Sequence, residues 1–201
     1  FLMTYFGRDR DLLRTADGVF VSSPQQRLFL ERYYLYPDLS TFTVPYGAET
    51  ANLAPPITPP EMLRQRYNLP ENSHLVMTVT DMELAEEVTH LLLAFEKVAI
   101  KKPNAFLVIC GQGPEWRTIE RSMLNLALGS RVIMTGAVKE EDLSDWLALT
   151  DVFINMSART TGVEPTVIEA MARKKIIIGS ELSPLANVIE DGADGFLLRP
   201  A

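Results

Sequence analysis

Ala105-Phe106-Leu107-Val108-Ile109-Cys110-Gly111-Gln112-Gly113-Pro114 joins an unbroken apolar run to a glycine-proline turn. Six successive apolar side chains without alternation predict a strand buried on both faces, as in a parallel sheet covered by helices on either side. Past the turn, Ile119, Met123 and Leu126 recur at helical spacing, so the unit reads strand, turn, amphipathic helix. Cys110 lies inside the run and is the only cysteine, so it reads as a small core hydrophobe with no internal disulfide partner, which fits a reducing, cytoplasmic setting.

The same alternation extends outward in both directions. Strands are predicted at 74–80, 105–111, 131–137, 151–157, 175–180 and 195–199. Between them Val88, Leu91, Leu92, Phe95 and Val98 form one stripe, and Leu143, Trp146 and Leu147 another. Repeated βαβ units of this kind predict an α/β domain built on a doubly wound, Rossmann-like parallel sheet over residues 61–201. Residues 51–60 carry prolines at 55, 56, 59 and 60 and no periodicity, which reads as a semi-rigid linker. Before it, a helix at 9–16, a strand at 18–22, a helix at 24–34 opened by Ser23 and Pro24, and a strand at 40–46 make residues 1–50 a partial βαβ remnant of a second sheet. About fifty residues are near the lower limit for an independent core, so this piece is expected to lean on the larger domain or on chain outside it, with Tyr33, Tyr34 and Tyr36 facing that chain. With Phe1 rather than Met at its start, the sequence reads as part of something longer.

Composition excludes several classes. Among 201 residues, 47% are hydrophobic and 22% charged, enough to offset ordering entropy by burial, so disorder is not expected. No apolar run approaches the roughly 20 residues of a bilayer-spanning helix. A net charge of −7 argues against nucleic acid as a partner, because phosphate-backbone binders present a basic face. One cysteine with His74 and His90 in separate segments offers no Cys/His metal site or nucleophile pair, and no cofactor is implied.

In open parallel sheets, ligands bind beyond the carboxyl ends of the strands. Gly111 and Gly113 could bring backbone amides to a phosphate. Yet Trp116 stands where a third glycine of a dinucleotide fingerprint would be and Pro114 lacks a donor, so a tight turn needing φ > 0 is the favoured reading. A second loop, Ala158-Arg159-Thr160-Thr161-Gly162-Val163, leads into Glu164-Pro165-Thr166-Val167-Ile168-Glu169. A helix opened by Pro165 at the carboxyl edge is an anion site, and Glu169, a turn further in, could accept hydrogen bonds from sugar hydroxyls. Equally, Glu164 could serve the helix dipole and Glu169 could pair with Arg173 four residues on.

The chain from 75 to 200 resembles the carboxyl-terminal, nucleotide-sugar-binding domain of the retaining GT-B glycosyltransferases of the group 1, or family 4, type. The matching stretches are Ile109-Cys110-Gly111-Gln112-Gly113-Pro114, Arg131-Val132-Ile133-Met134-Thr135-Gly136, Asp151-Val152-Phe153-Ile154, Val167-Ile168-Glu169-Ala170-Met171-Ala172, and Val188-Ile189-Glu190-Asp191-Gly192 followed by Gly195-Phe196-Leu197-Leu198. Residues 1–50, with Ala16-Asp17 before a strand and Val44-Pro45-Tyr46-Gly47 after one, resemble the end of that family's amino-terminal domain and its hinge.

The resemblance implies that Glu169 binds the ribose of a nucleoside diphosphate sugar, that Gly136 and Val138 frame its base, and that Arg159, Thr161, Gly162 and Thr166 lie beside the diphosphate. It also implies sugar transfer to an acceptor held by the missing amino-terminal domain, in pathways such as polysaccharide biosynthesis, and leaves room for peripheral membrane association and for homo- or hetero-oligomers. Four positions depart from the family pattern. Its first sugar-binding glutamate falls at Thr161, its phosphate-binding arginine at Asp81 and lysine at Glu86, and its glycine pair at Ser183 and Pro184. A unit charge about 4 Å from a phosphate is worth roughly 4 kcal/mol at an effective dielectric of 20 before screening, so two reversals weaken the diphosphate grip. Residues 81–87 contain no Lys or Arg, so no shift of register restores one. The expectation is the donor half of a glycosyltransferase with a weakened grip, inactive as an isolated piece. The alternatives are a non-catalytic scaffold or regulatory subunit of an active glycosyltransferase, and a nucleotide-sugar epimerase of the same architecture.

Overall fold

The computed structural model describes residues 2–37, 40–45, 47, 55–156, 163–181 and 184–199. At the amino end, α1 (Leu2–Thr15) leads to β1 (Val19–Val21), α2 (Pro24–Phe29) and β2 (Thr41–Thr43), with β1 and β2 paired in parallel. The start of α2 follows from its sequence: Ser23 Oγ accepts from the Gln26 amide at 3.3 Å, and Gln26 Oε1 accepts from the Ser22 amide at 2.8 Å. The helix widens into a π-helical turn, Leu30–Tyr34, which ends at Leu35 with φ 53°. Tyr36 does not face outward as expected, whereas Tyr34 remains half-exposed. The Tyr34 hydroxyl donates to Asp9 Oδ2 at 3.0 Å, and Tyr36, buried, donates to the Ala16 carbonyl at 3.2 Å, because both phenols can satisfy their polar tips against α1 and the chain just after it. Tyr33 stays exposed.

The linker is fastened at its far end. The carboxylate of buried Asp145 accepts from the Ile57 amide at 2.6 Å and the Thr58 amide at 3.1 Å, after which Pro60 opens α3 (Pro60–Arg66). Residues 51–54 lie outside the described residues.

All six predicted strands of the larger unit form: β3 (His74–Val79), β4 (Ala105–Cys110), β5 (Val132–Gly136), β6 (Val152–Asn155), β7 (Ile176–Ser180) and β8 (Phe196–Leu198). They make one parallel sheet in the order β5-β4-β3-β6-β7-β8. The helices between them are α4 (Ala85–Lys101), α5 (Trp116–Asn125), α6 (Glu140–Leu149) and α7 (Pro165–Ala172). On one face Leu75, Met77, Phe153 and Ile177 pack with Trp146, Leu147, Val167 and Ala170 of α6 and α7. On the other, Leu107, Ile109 and Val132 pack with Leu92, Phe95 and Ile119 of α4 and α5. β4 feeds both, sending Phe106, Val108 and Cys110 one way and Ala105, Leu107 and Ile109 the other, which is why its run shows no alternation. Each such fully buried aliphatic side chain stabilises the fold by about 1.5–3 kcal/mol. One stripe residue differs from expectation: Val98 is exposed, and Ala99, four residues after Phe95, packs on the core instead, as a 3.6-residue period dictates.

Candidate nucleotide site at the carboxyl edge of the sheet

The chain runs outward from β3 to β4 and β5, then returns to place β6 on the other side of β3. The loops after β3 and β6 therefore diverge and leave a crevice at the topological switch point. A cavity of about 20 Å³ sits there, lined by Thr78, Thr80, Asp81, Glu87, Met156 and Glu164 among others, with no basic side chain among its described lining residues. It has room for little more than a water molecule.

The turn that presents Asp81 is tightly built. Thr80 Oγ1 accepts from the Met82 amide at 3.0 Å, Asp81 Oδ1 accepts from the Glu83 amide at 3.2 Å, and Met82 takes a left-handed conformation, φ 52°, with its side chain fully buried. The two glycines of the loop after β4 lock against this turn. A Cβ on Gly111 would lie 1.7 Å from the Thr80 carbonyl oxygen, and one on Gly113 would lie 1.7 Å from that of Asp81. Gly111 also has φ 135°, and its amide donates to the Gly136 carbonyl at 2.9 Å, so that donor is already engaged within the protein. Gly136 has φ 76° with open space where a Cβ would be, while Val138 packs its side chain against the core. Of the two acidic departures, Asp81 lines the cavity. Glu86 lies beside it in the first turn of α4, exposed, while its neighbour Glu87 turns in.

Glu164 precedes α7 and lines the cavity. Pro165 opens the helix, and Thr166 is half-buried in its first turn. Arg159, Thr161 and Gly162 lie outside the described residues, as does Ser183, whereas Pro184, buried, begins a 3₁₀ turn, Pro184–Asn187. Glu169, four residues after Pro165, faces the seam between α6 and α7. Its Oε1 accepts from both Nε, at 3.2 Å, and Nη2, at 3.0 Å, of Arg173, and that Nη2 also donates to Ser144 Oγ at 2.6 Å. In the same seam Lys175 Nζ donates to the Ala148 carbonyl at 3.1 Å, and burial lowers its pKa against the raising influence of Asp151. Ser144 and Asp145, adjacent and both buried, carry no sequence signal that separates them from an exposed polar pair. Their partners at 57, 58 and 173 are distant in the chain.

The thiol of Cys110 is buried, and desolvation pushes its pKa up to about 12, so it is no nucleophile at neutral pH. No group of three or more His, Cys, Asp or Glu side chains among the described residues could hold a metal ion, and no helix among them is long and apolar enough to cross a membrane.

A six-stranded parallel sheet with this strand order and a crevice at its switch point defines a GT-B, Rossmann-like domain. The family model "Glycosyl transferases group 1" matches residues 61–201, and the chain belongs to that family. N-acetyl-alpha-D-glucosaminyl L-malate synthase of Bacillus anthracis is 27% identical over 136 residues, which cover 67% of this chain and 34% of that protein. The chain thus spans about a third of the length of that curated relative. Among solved structures, Anabaena Alr3699/HepE in complex with UDP and glucose superposes with a TM-score of 0.82 at 20% identity, covering 100% of this chain and 54% of that one. The C-terminal domain of a glycosyl transferase group 1 family protein (LpcC) from Francisella tularensis gives 0.62 at 18% identity, covering 77% and 80%.

Proposed function

We propose that this chain is the donor-side half of a retaining glycosyltransferase, binding a nucleoside diphosphate sugar at the carboxyl edge of the sheet with a weakened hold on the diphosphate. Family membership supports the reaction class, and the UDP and glucose held by the Anabaena neighbour fit a nucleotide-sugar donor. In this reading Glu169 meets the ribose, Gly136 and Val138 lie beside the base, Arg159, Thr161, Gly162 and Thr166 lie near the diphosphate, and Gly111 and Gly113 shape the crevice floor. The acceptor would be held by an amino-terminal domain completed around β1 and β2. The ring pair of Phe20, 74% exposed, and Phe42, with centroids 5.6 Å apart, is the apolar face on which its remaining layer would pack. Departure of the diphosphate needs positive charge or aligned donors at its oxygens, so with acidic residues at 81 and 86 and Arg159 the one cation of the loop before α7, these 201 residues are expected to be inactive alone. A cytoplasmic location goes with nucleotide-sugar use.

The observation that carries the weakened grip is the cavity wall of Asp81, Glu87 and Glu164. It also favours a second reading, a non-catalytic scaffold or regulatory subunit of an active glycosyltransferase, whose complex would be indifferent to Glu169→Ala. The deciding experiment titrates UDP, GDP and ADP into the wild-type chain and into the Asp81→Arg/Glu86→Lys double variant, followed by calorimetry. Donor binding at this edge predicts at least a tenfold gain in affinity for the variant. Equal, negligible heats from both would leave the scaffold reading standing.

A further inference from the structure

Glu169 and Arg173 stand four residues apart on α7, an arrangement that on an open helix surface is weak and short-lived. Here the pair is not open. The arginine side chain is 11% exposed and the glutamate side chain 29%, so the cation is the more enclosed partner. Its Nη2 is anchored outside the helix, on the hydroxyl of Ser144, a buried residue of α6. A guanidinium fixed from a second element has lost its rotamer freedom before it meets the carboxylate, and its planar fork then sets the direction of the bond.

Both guanidinium contacts fall on the same oxygen, Oε1, at 3.2 and 3.0 Å. Among the described residues Oε2 makes no hydrogen bond. An arginine approaching end-on would engage both oxygens and consume the carboxylate. This side-on approach spends only one of its oxygens.

We propose that Arg173, anchored on Ser144, is a positioning residue for Glu169: it holds Oε1 so that Oε2 is presented to the ribose hydroxyls of a bound nucleoside diphosphate. The proposal rests on the ribose-binding reading of Glu169. Ser144 extends the chain of contacts into α6, whose next residue, Asp145, grips the linker amides of Ile57 and Thr58. The carboxylate is therefore tied, through one helix, to the segment that joins the two halves of the chain.

The test compares the affinity of the 201-residue chain for UDP, GDP and ADP with that for their 2′,3′-dideoxy forms, in wild type, Glu169→Ala, Arg173→Ala, Arg173→Lys and Ser144→Ala, with circular dichroism melts establishing that each is folded. Wild type is expected to favour the ribose form at least tenfold. Glu169→Ala and Arg173→Ala should both bring that ratio to about one while leaving affinity for the dideoxy form unchanged, and Arg173→Lys and Ser144→Ala should give intermediate ratios. A purely structural tie between α6 and α7 would shift melting temperatures without moving the ratio. If Glu169→Ala abolishes the preference and Arg173→Ala or Ser144→Ala, folded, keeps it, the positioning role is wrong and the ribose reading survives. If wild type shows no preference, or none of the three nucleotides binds by 10 mM, the ribose reading fails and the positioning role with it.

Discussion

Lys174 adopts φ 59°, a left-handed conformation in which a Cβ crowds the backbone. It is held there by the end of α7: its amide donates to the Met171 carbonyl at 2.8 Å, and that of Lys175 reaches the Ala170 carbonyl at 3.0 Å. This is the paired closure that glycine usually supplies. Lys174→Gly is accordingly expected to raise the unfolding free energy by about 1 kcal/mol in a urea titration, with Lys174→Ala unchanged. Cys110 offers a pH test. Its pKa rises from 9.0 to about 12 through desolvation, so the folded state favours the thiol; the stabilisation is whole below pH 9 and is lost as pH climbs towards 12. Near pH 10.5 the loss amounts to roughly 2 kcal/mol relative to neutral pH, and a Cys110→Val variant should lack that increment when the two are melted side by side. The burial of Cys110 was legible because its neighbours are apolar. The choice of Arg173 as the partner of Glu169 was one of two readings that helical spacing left open, since spacing says which residues can meet and not which solvent or ligand competes.

Helix ends were harder to read than helices. α3, α5 and α7 all close with the same paired backbone bonds, and the left-handed residue is Asn68, Ala127 and Lys174 respectively, never glycine. A sequence search for a glycine stop therefore finds none, and packing beyond the helix decides where each ends. The linker poses the same problem. Its prolines announce irregular chain, yet nothing near them reveals that Ile57 and Thr58 are gripped by a carboxylate 88 and 87 residues away. Hydrogen bonds to a charged acceptor are worth about 1.5–3 kcal/mol each, and these amides can partly recover by turning to water. Asp145→Ala should thus cost about 2 kcal/mol and raise hydrogen exchange at Ile57 and Thr58. Full protection at those amides in the variant would contradict the clamp.

Across the whole molecule, a charge of −7 and the carboxyl groups of Asp81, Glu87 and Glu164 around the switch-point cavity support the proposed weak hold on a polyanion. Salt screens this repulsion, so the affinity for UDP is expected to rise by a few-fold between low and moderate ionic strength, opposite to a site lined with arginine and lysine; a fall on adding salt would mean that cations dominate the binding surface. The strand count, the parallel pairing and the two-faced core were determined by the sequence itself, because runs such as residues 105–110 can only be satisfied when both faces are covered, and burial of that kind is a local property of composition and period. So was the acidity of the stretch after β3, which is a matter of residue identity. Which oxygen of Glu169 is held, what the glycines at 111 and 113 pack against, and how α6 binds the linker were decided only in three dimensions. Each depends on groups brought together from distant parts of the chain, and no period within a single element carries their angle of approach.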